Sequence, residues 1–164
     1  MNLLKLSVAA ALAAASFAAS AQQATFNQRN ITLDAAKELA ATALDSCRKA
    51  GYKVTITILD ARGGTKLVIS DDGANMHTVE NSMRKAYTSA TSKIASGEYG
   101  KRNVANPQSV GALHLDRITT LEGALPIMAG KDLIGAVGIS GAPGGDKDAA
   151  CAQAGIDKIS AGLK

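Results

Sequence analysis

Two glycine-punctuated hairpins constrain the fold of this 164-residue chain more than any other feature. Val54-Thr-Ile-Thr-Ile-Leu-Asp60 alternates and is rich in β-branched residues. Arg62-Gly63-Gly64 turns the chain, and Thr65-Lys-Leu-Val-Ile-Ser70 returns. A second hairpin follows the same plan: Leu125-Pro-Ile-Met-Ala129, a turn at Gly130-Lys-Asp132, then Leu133-Ile-Gly-Ala-Val-Gly-Ile139. Strands joined by such short turns must pair antiparallel, because a parallel pair needs a crossover of a dozen residues or more.

Helical patterns surround the hairpins. Thr32 is an N-cap for a helix whose Leu33, Ala36, Leu39, Ala40, Ala43, Leu44 and Cys47 recur at helical spacing, with Gly51 ending it. A second helix is expected from about Thr78. Its apolar stripe is Val79, Met83, Ala86, Tyr87, Ala90 and Ile94, with Arg84, Lys85 and Lys93 off the stripe and Gly97 as the stop. Residues 98–118 read as irregular, with a short helix around Val110 to Asp116. A last helix begins after Ser140-Gly-Ala-Pro-Gly-Gly145, capped by Asp146. The order helix, hairpin, helix, irregular stretch, hairpin, helix describes a single α+β domain, a two-hairpin antiparallel sheet flanked by helices.

Residues 1–21 stand outside that domain as a signal peptide: Lys5 is the basic start, an alanine-rich run follows, and Ala19-Ser20-Ala21 is the small-residue cleavage site. The run is shorter than the ~20 apolar residues of a spanning helix, so the mature chain is expected to be 22–164, periplasmic or secreted, without a membrane span. Export also governs the cysteines. Cys47 and Cys151 are too far apart for a C-x-x-C pair, and in an oxidising compartment two leftover cysteines are expected to pair, the alternative being two buried thiols. Aromatics are 3 % with no Trp, and the +4 charge is never concentrated beyond two adjacent basic residues, which argues against nucleic acid as a partner.

Chemistry-bearing motifs are sparse. The loop before the last helix fits neither G-x-G-x-x-G nor G-x-x-x-x-G-K-[ST], although free amides at such a helix start could hold an anion. Ser140 lacks the spacing of a nucleophile elbow. His77-Thr-Val-Glu80 and His114-Leu-Asp116-Arg117 are two polar knots, neither with the clustering of a metal-ligand set. No residue set marks an enzyme, and no catalytic residue is assigned.

Three segments together resemble one family: Asp71-Asp-Gly-Ala-Asn-Met-His77-Thr-Val-Glu80 running into Arg84-Lys-Ala-Tyr-Thr-Ser-Ala90; Leu125-Pro-Ile with Gly135-Ala-Val-Gly-Ile-Ser-Gly141; and Ala142-Pro-Gly-Gly-Asp-Lys-Asp148 through Asp157. The chain resembles GlcG/HbpS-type heme-binding proteins, a family that includes the C-terminal domain of PduO-type proteins. The resemblance implies a profilin-like fold, a homo-oligomer and non-covalent heme binding for storage, buffering or sensing. The alternative is an exported binder of another small anionic or aromatic molecule. This chain departs from the family at Leu121-Glu-Gly-Ala-Leu-Pro126, where a glycine run usually precedes the proline. If heme is the cofactor, His77 is the expected iron ligand and His114 the second choice. Arg84 and Lys85 are then expected to meet the propionates, and Gly144 and Gly145 to offer amides to an anion.

Overall fold

The computed structural model describes residues 24–163; the signal peptide expected over 1–21 lies outside them. Thr32 caps the first helix, α1 (Leu33–Lys49), its hydroxyl accepting from the Ala35 amide at 3.2 Å. Asp34 in the first turn and Arg48 and Lys49 in the last complement the helix dipole. Gly51 just beyond takes a φ of +80°.

The hairpins form as their short turns require: β1 (Thr55–Asp60) with β2 (Thr65–Ser70), and β3 (Ala124–Ala129) with β4 (Asp132–Ser140). They fuse through their inner strands into one antiparallel sheet of order β2-β1-β4-β3, with Ile56 opposite Ile139 and Thr57 opposite Gly138. Between the hairpins run α2 (His77–Ser92) and α3 (Ser96–Val104), and α4 (Gly145–Ile159) closes the chain. Helices α1 and α4 cover one face of the sheet and α2 covers the other. The α+β architecture is the expected one.

The first face is aliphatic. Ile56, Ile58, Val137 and Ile139 pack against Leu39, Ala40, Ala43 and Ala152 of the two helices. Cys47 and Cys151 form a disulfide there, with Cα atoms 5.6 Å apart, joining α1 to α4. Among the described residues no helix is long and apolar enough to cross a membrane.

Three local expectations are corrected. Helix α2 buries only Ala86 and Ala90 of its expected apolar stripe: Val79 is 37 % exposed, Met83 and Tyr87 are half-buried, and the polar Thr78, Ser82, Lys85 and Ser89 are buried beside the two alanines. The sheet presents hydroxyls on this side, and Thr55 and Thr57 bond Thr78 (2.8 Å) and Ser82 (2.9 Å). A glycine completes the contact, since a Cβ on Gly138 would overlap the Ser82 carbonyl oxygen. The helix ends at Lys93, in a left-handed conformation, before Ile94 and Gly97. Second, the supposedly irregular stretch holds α3, followed by a 3-10 turn at Val110–His114. Third, α4 starts one residue before Asp146, with Gly144 at the N-cap and no side-chain cap; Asp146 sits in the first turn.

Candidate functional site

A cleft of about 300 Å³ opens where the N-terminal half of α2, the end of β4, the 141–145 loop and the start of α4 meet. Its position follows from the hydroxyl face of the sheet. Once Thr78 and Ser82 dock on β1, the helix presents His77, Asn81 and Lys85 to the cleft at i, i+4 and i+8, one face of an α-helix. Ser140, Gly144, Gly145 and Asp148 supply the opposite side, and Leu121 and Glu122 close one end.

The floor holds a buried ion pair. Lys85 Nζ donates to Asp148 Oδ2 at 2.7 Å and to the Ile139 carbonyl at 3.0 Å, with both side chains almost wholly buried. The second Asp148 oxygen accepts from the Ala142 amide at 3.0 Å, so the pair ties α2, β4, α4 and the loop together. Burial pushes the Asp148 carboxyl above the ordinary aspartate value, with Lys85 pulling the other way. Gly123 is required beside the pair: its φ is +128°, and a Cβ there would stand 2.7 Å from Lys85 Nζ. Asn81 Nδ2 donates to Ser140 Oγ at 2.9 Å.

The rim is different in character. His77 is solvent-exposed at the first residue of α2. Met76 before it is 87 % exposed, and Leu121 on the cleft wall is 52 % exposed. A neutral imidazole is a ligand type that heme iron accepts, and exposed aliphatic side chains beside it suit a flat apolar ring. The cleft itself lies at the low end of the ~300–1,000 Å³ range of small-molecule sites, too small to enclose a macrocycle. The cleft alone would not fit a heme; the residues that would suit the group stand at the rim, where His77 would offer a nitrogen ligand.

Of the expected site residues, the structure brings together His77, Lys85, Gly144 and Gly145. Lys85 is not the surface cation foreseen but a buried one, because the hydroxyl face of α2 turns it inward. Arg84 stays outside the cleft, paired with Glu80 at 2.7 Å on the exposed side of the helix. His114, at the end of the 3-10 turn, is exposed and does not line the cleft. Asn81 and Asp148 went unforeseen: Asp148 sits in a motif already singled out, whereas nothing local distinguishes Asn81. Among the described residues no cluster of three His, Cys, Asp or Glu side chains could hold a bare metal ion.

Comparison with known proteins places this geometry. The family model described as "Haem degrading protein HbpS-like" matches residues 31–157. A Citrobacter freundii protein, an uncharacterized 15.0 kDa product of the dhaT-dhaS intergenic region, is 31 % identical over 115 residues, covering 68 % of this chain and 80 % of its own length. The crystal structure of a Streptomyces reticuli HbpS double mutant superposes with a TM-score of 0.77 at 27 % identity, over 85 % of this chain and 93 % of that one. A PduOC:heme complex superposes with a TM-score of 0.73 at 25 % identity, over 79 % of this chain and 95 % of that one. With the matched residues spanning both hairpins and every element that builds the cleft, the chain belongs to the HbpS-like family.

Proposed function

We propose that this protein is exported and binds heme non-covalently, for storage, buffering or sensing. The observation that carries the reading is the exposed His77 imidazole on a cleft that Leu121 also lines, next in sequence to exposed Met76, in a chain of the HbpS-like family. The solved heme complex of a PduOC protein supports the same cofactor class. When bound, the heme supplies an iron centre. This chain's residues would hold it: His77 would offer a nitrogen ligand, and Met76 and Leu121 would offer apolar contact to the ring.

A heme titration of residues 22–164 tests the proposal. The expected result is a saturable Soret shift whose position changes in His77→Ala and not in His114→Ala. Unchanged spectra and affinity in both variants would remove histidine ligation. No saturable binding at all would favour the other reading, a small anionic or aromatic ligand. Following the saturated complex in air with a reductant distinguishes holding from degradation, and a stable Soret band is expected.

Two further parts of the proposal have their own measurements. Export predicts a mature chain beginning at Gln22, and mass spectrometry of protein from the native host checks it. Self-association into a homo-oligomer is supported by exposed Val104 at the end of α3 and exposed Val110, Leu115 and Leu121 on the segment that follows it before β3. Light scattering that found a monomer across micromolar concentrations would overturn it.

A further inference from the structure

Heme bound across the rim leaves the floor of the cleft without a role. We propose that the floor is a subsite for a carboxylate on a short chain, either a heme propionate or a free small carboxylate; the first source rests on the heme reading, the second does not.

The inference starts from Lys85. An ammonium has three donor protons, and Lys85 Nζ, in a residue only 3 % exposed, has two acceptors among the described residues: Asp148 and the Ile139 carbonyl. A buried cation with an unused donor beside a cavity favours an acceptor in that cavity. Asn81 adds a second donor, since only one contact of its amide nitrogen, to Ser140 Oγ, is made. At the same end of the cleft α4 begins at Gly145 with no side-chain cap on its first amides.

Charge and size select the ligand class. Asp148 balances Lys85, so the floor is neutral as a pair, and the helix end adds about half a positive charge, offset in part by Asp146 in its first turn. That suits a monoanion better than a phosphate dianion. Both Asp148 oxygens are already engaged, by Lys85 and by the Ala142 amide. Glu122, exposed at the rim, is the other carboxylate on the cleft wall, and it opposes an incoming anion. A volume of about 300 Å³ admits a chain of a few heavy atoms and not a porphyrin.

The experiment titrates heme-free protein with sodium propionate, following backbone amides by NMR, with propionamide and inorganic phosphate as controls. Expected are saturable shifts at Asn81, Gly145 and Asp148 with propionate, and none with propionamide. Glu122→Gln should bind propionate about threefold more tightly, the effect of removing one exposed like charge. Lys85→Met combined with Asp148→Leu removes the charge pair without stranding either partner and should abolish the shifts. Asn81→Leu should weaken them and does not disturb the pair.

A parallel arm compares heme with its dimethyl ester. An ester bound at least tenfold more weakly identifies the propionate source. Equal binding of the two, with propionate shifts intact, identifies a free carboxylate. Saturation by propionate in a protein that binds no heme removes the heme reading and keeps the subsite. Absence of propionate shifts, equal shifts with propionamide, or binding unaffected by the Lys85/Asp148 and Asn81 variants overturns the subsite, whatever heme does.

Discussion

Beneath α1 and α4 the sheet shows Ile56, Ile58, Val137 and Ile139, while beneath α2 the same two inner strands show Thr55, Thr57 and Gly138. The aliphatic face gains stability from apolar area, which is non-directional and tolerates small shifts of the covering helices. The hydroxyl face gains less per contact, since a net hydrogen bond contributes about 0.5–1.5 kcal/mol. Its contacts are directional, however, and they set the rotation of α2 about its own axis. That rotation decides which residues reach the cleft. One face therefore holds the domain together, and the other aims His77, Asn81 and Lys85.

The largest way to separate the two is to cut the disulfide. Replacing Cys47 and Cys151 by alanine should cost about 2–5 kcal/mol of stability by urea denaturation. The comparison then requires ligand affinity of the folded protein to stay unchanged, because neither cysteine touches the cleft.

Ile58→Ala should come next, at roughly 2–5 kcal/mol from lost burial and the cavity left behind. Ile58 is fully buried on the aliphatic face, so this loss too should appear in stability and not in the site. On the opposite face Gly138→Ala places a methyl group against the Ser82 carbonyl and should cost about 1–3 kcal/mol. Here the smaller loss should carry the larger functional effect, because α2 must move to admit it.

The smallest effect is a pH dependence at the junction between the faces. Asp71, just after β2 and before α2, accepts from Arg48 Nη2 of α1 at 2.6 Å. Hydrogen bonding to Arg48, with the nearby Lys53 charge, holds its carboxyl below the usual aspartate value. A depressed folded-state pKa gives stability present above the unfolded value of about 3.9 and lost as pH falls through the folded one. Asp71→Asn should therefore flatten the acid limb of a melting-temperature profile and leave the neutral side nearly parallel to wild type.

The aliphatic face was the legible one. Alternation in Val54–Asp60, the strand-turn-strand order of both hairpins, the Thr32 cap and the Ala36–Cys47 spacing each describe a real element. The pairing of Cys47 with Cys151 is expected on the premise of export, and the disulfide is present. The hydroxyl face was misread because a helix is expected to bury its apolar stripe, and α2 buries threonine and serine whose partners are 20 or more residues away in sequence. Helix α3 is hidden by Gly97, which reads as the stop of the preceding helix, and by a second glycine, Gly100, inside it. They are instead close approaches: a Cβ on Gly100 would stand 2.5 Å from the Thr120 carbonyl oxygen. The cleft draws on α2, β4, α4 and the 121–122 segment, so its assembly depends on the β1–β4 pairing, which no local pattern encodes. His77 was accessible as a loop-to-helix histidine; the inward turn of Lys85 was not.

The division of labour between the faces is tested most directly by two substitutions of one carbon each. Ile58→Val removes one methylene from the aliphatic face and should lose about 1 kcal/mol, and Gly138→Ala adds one methyl to the hydroxyl face and should lose about 1–3 kcal/mol. Heme affinity and Soret position are measured for both at a temperature where both are fully folded. The account predicts wild-type binding in Ile58→Val and weakened binding with a shifted spectrum in Gly138→Ala. Equal behaviour of the two, or weaker binding in Ile58→Val, would contradict it.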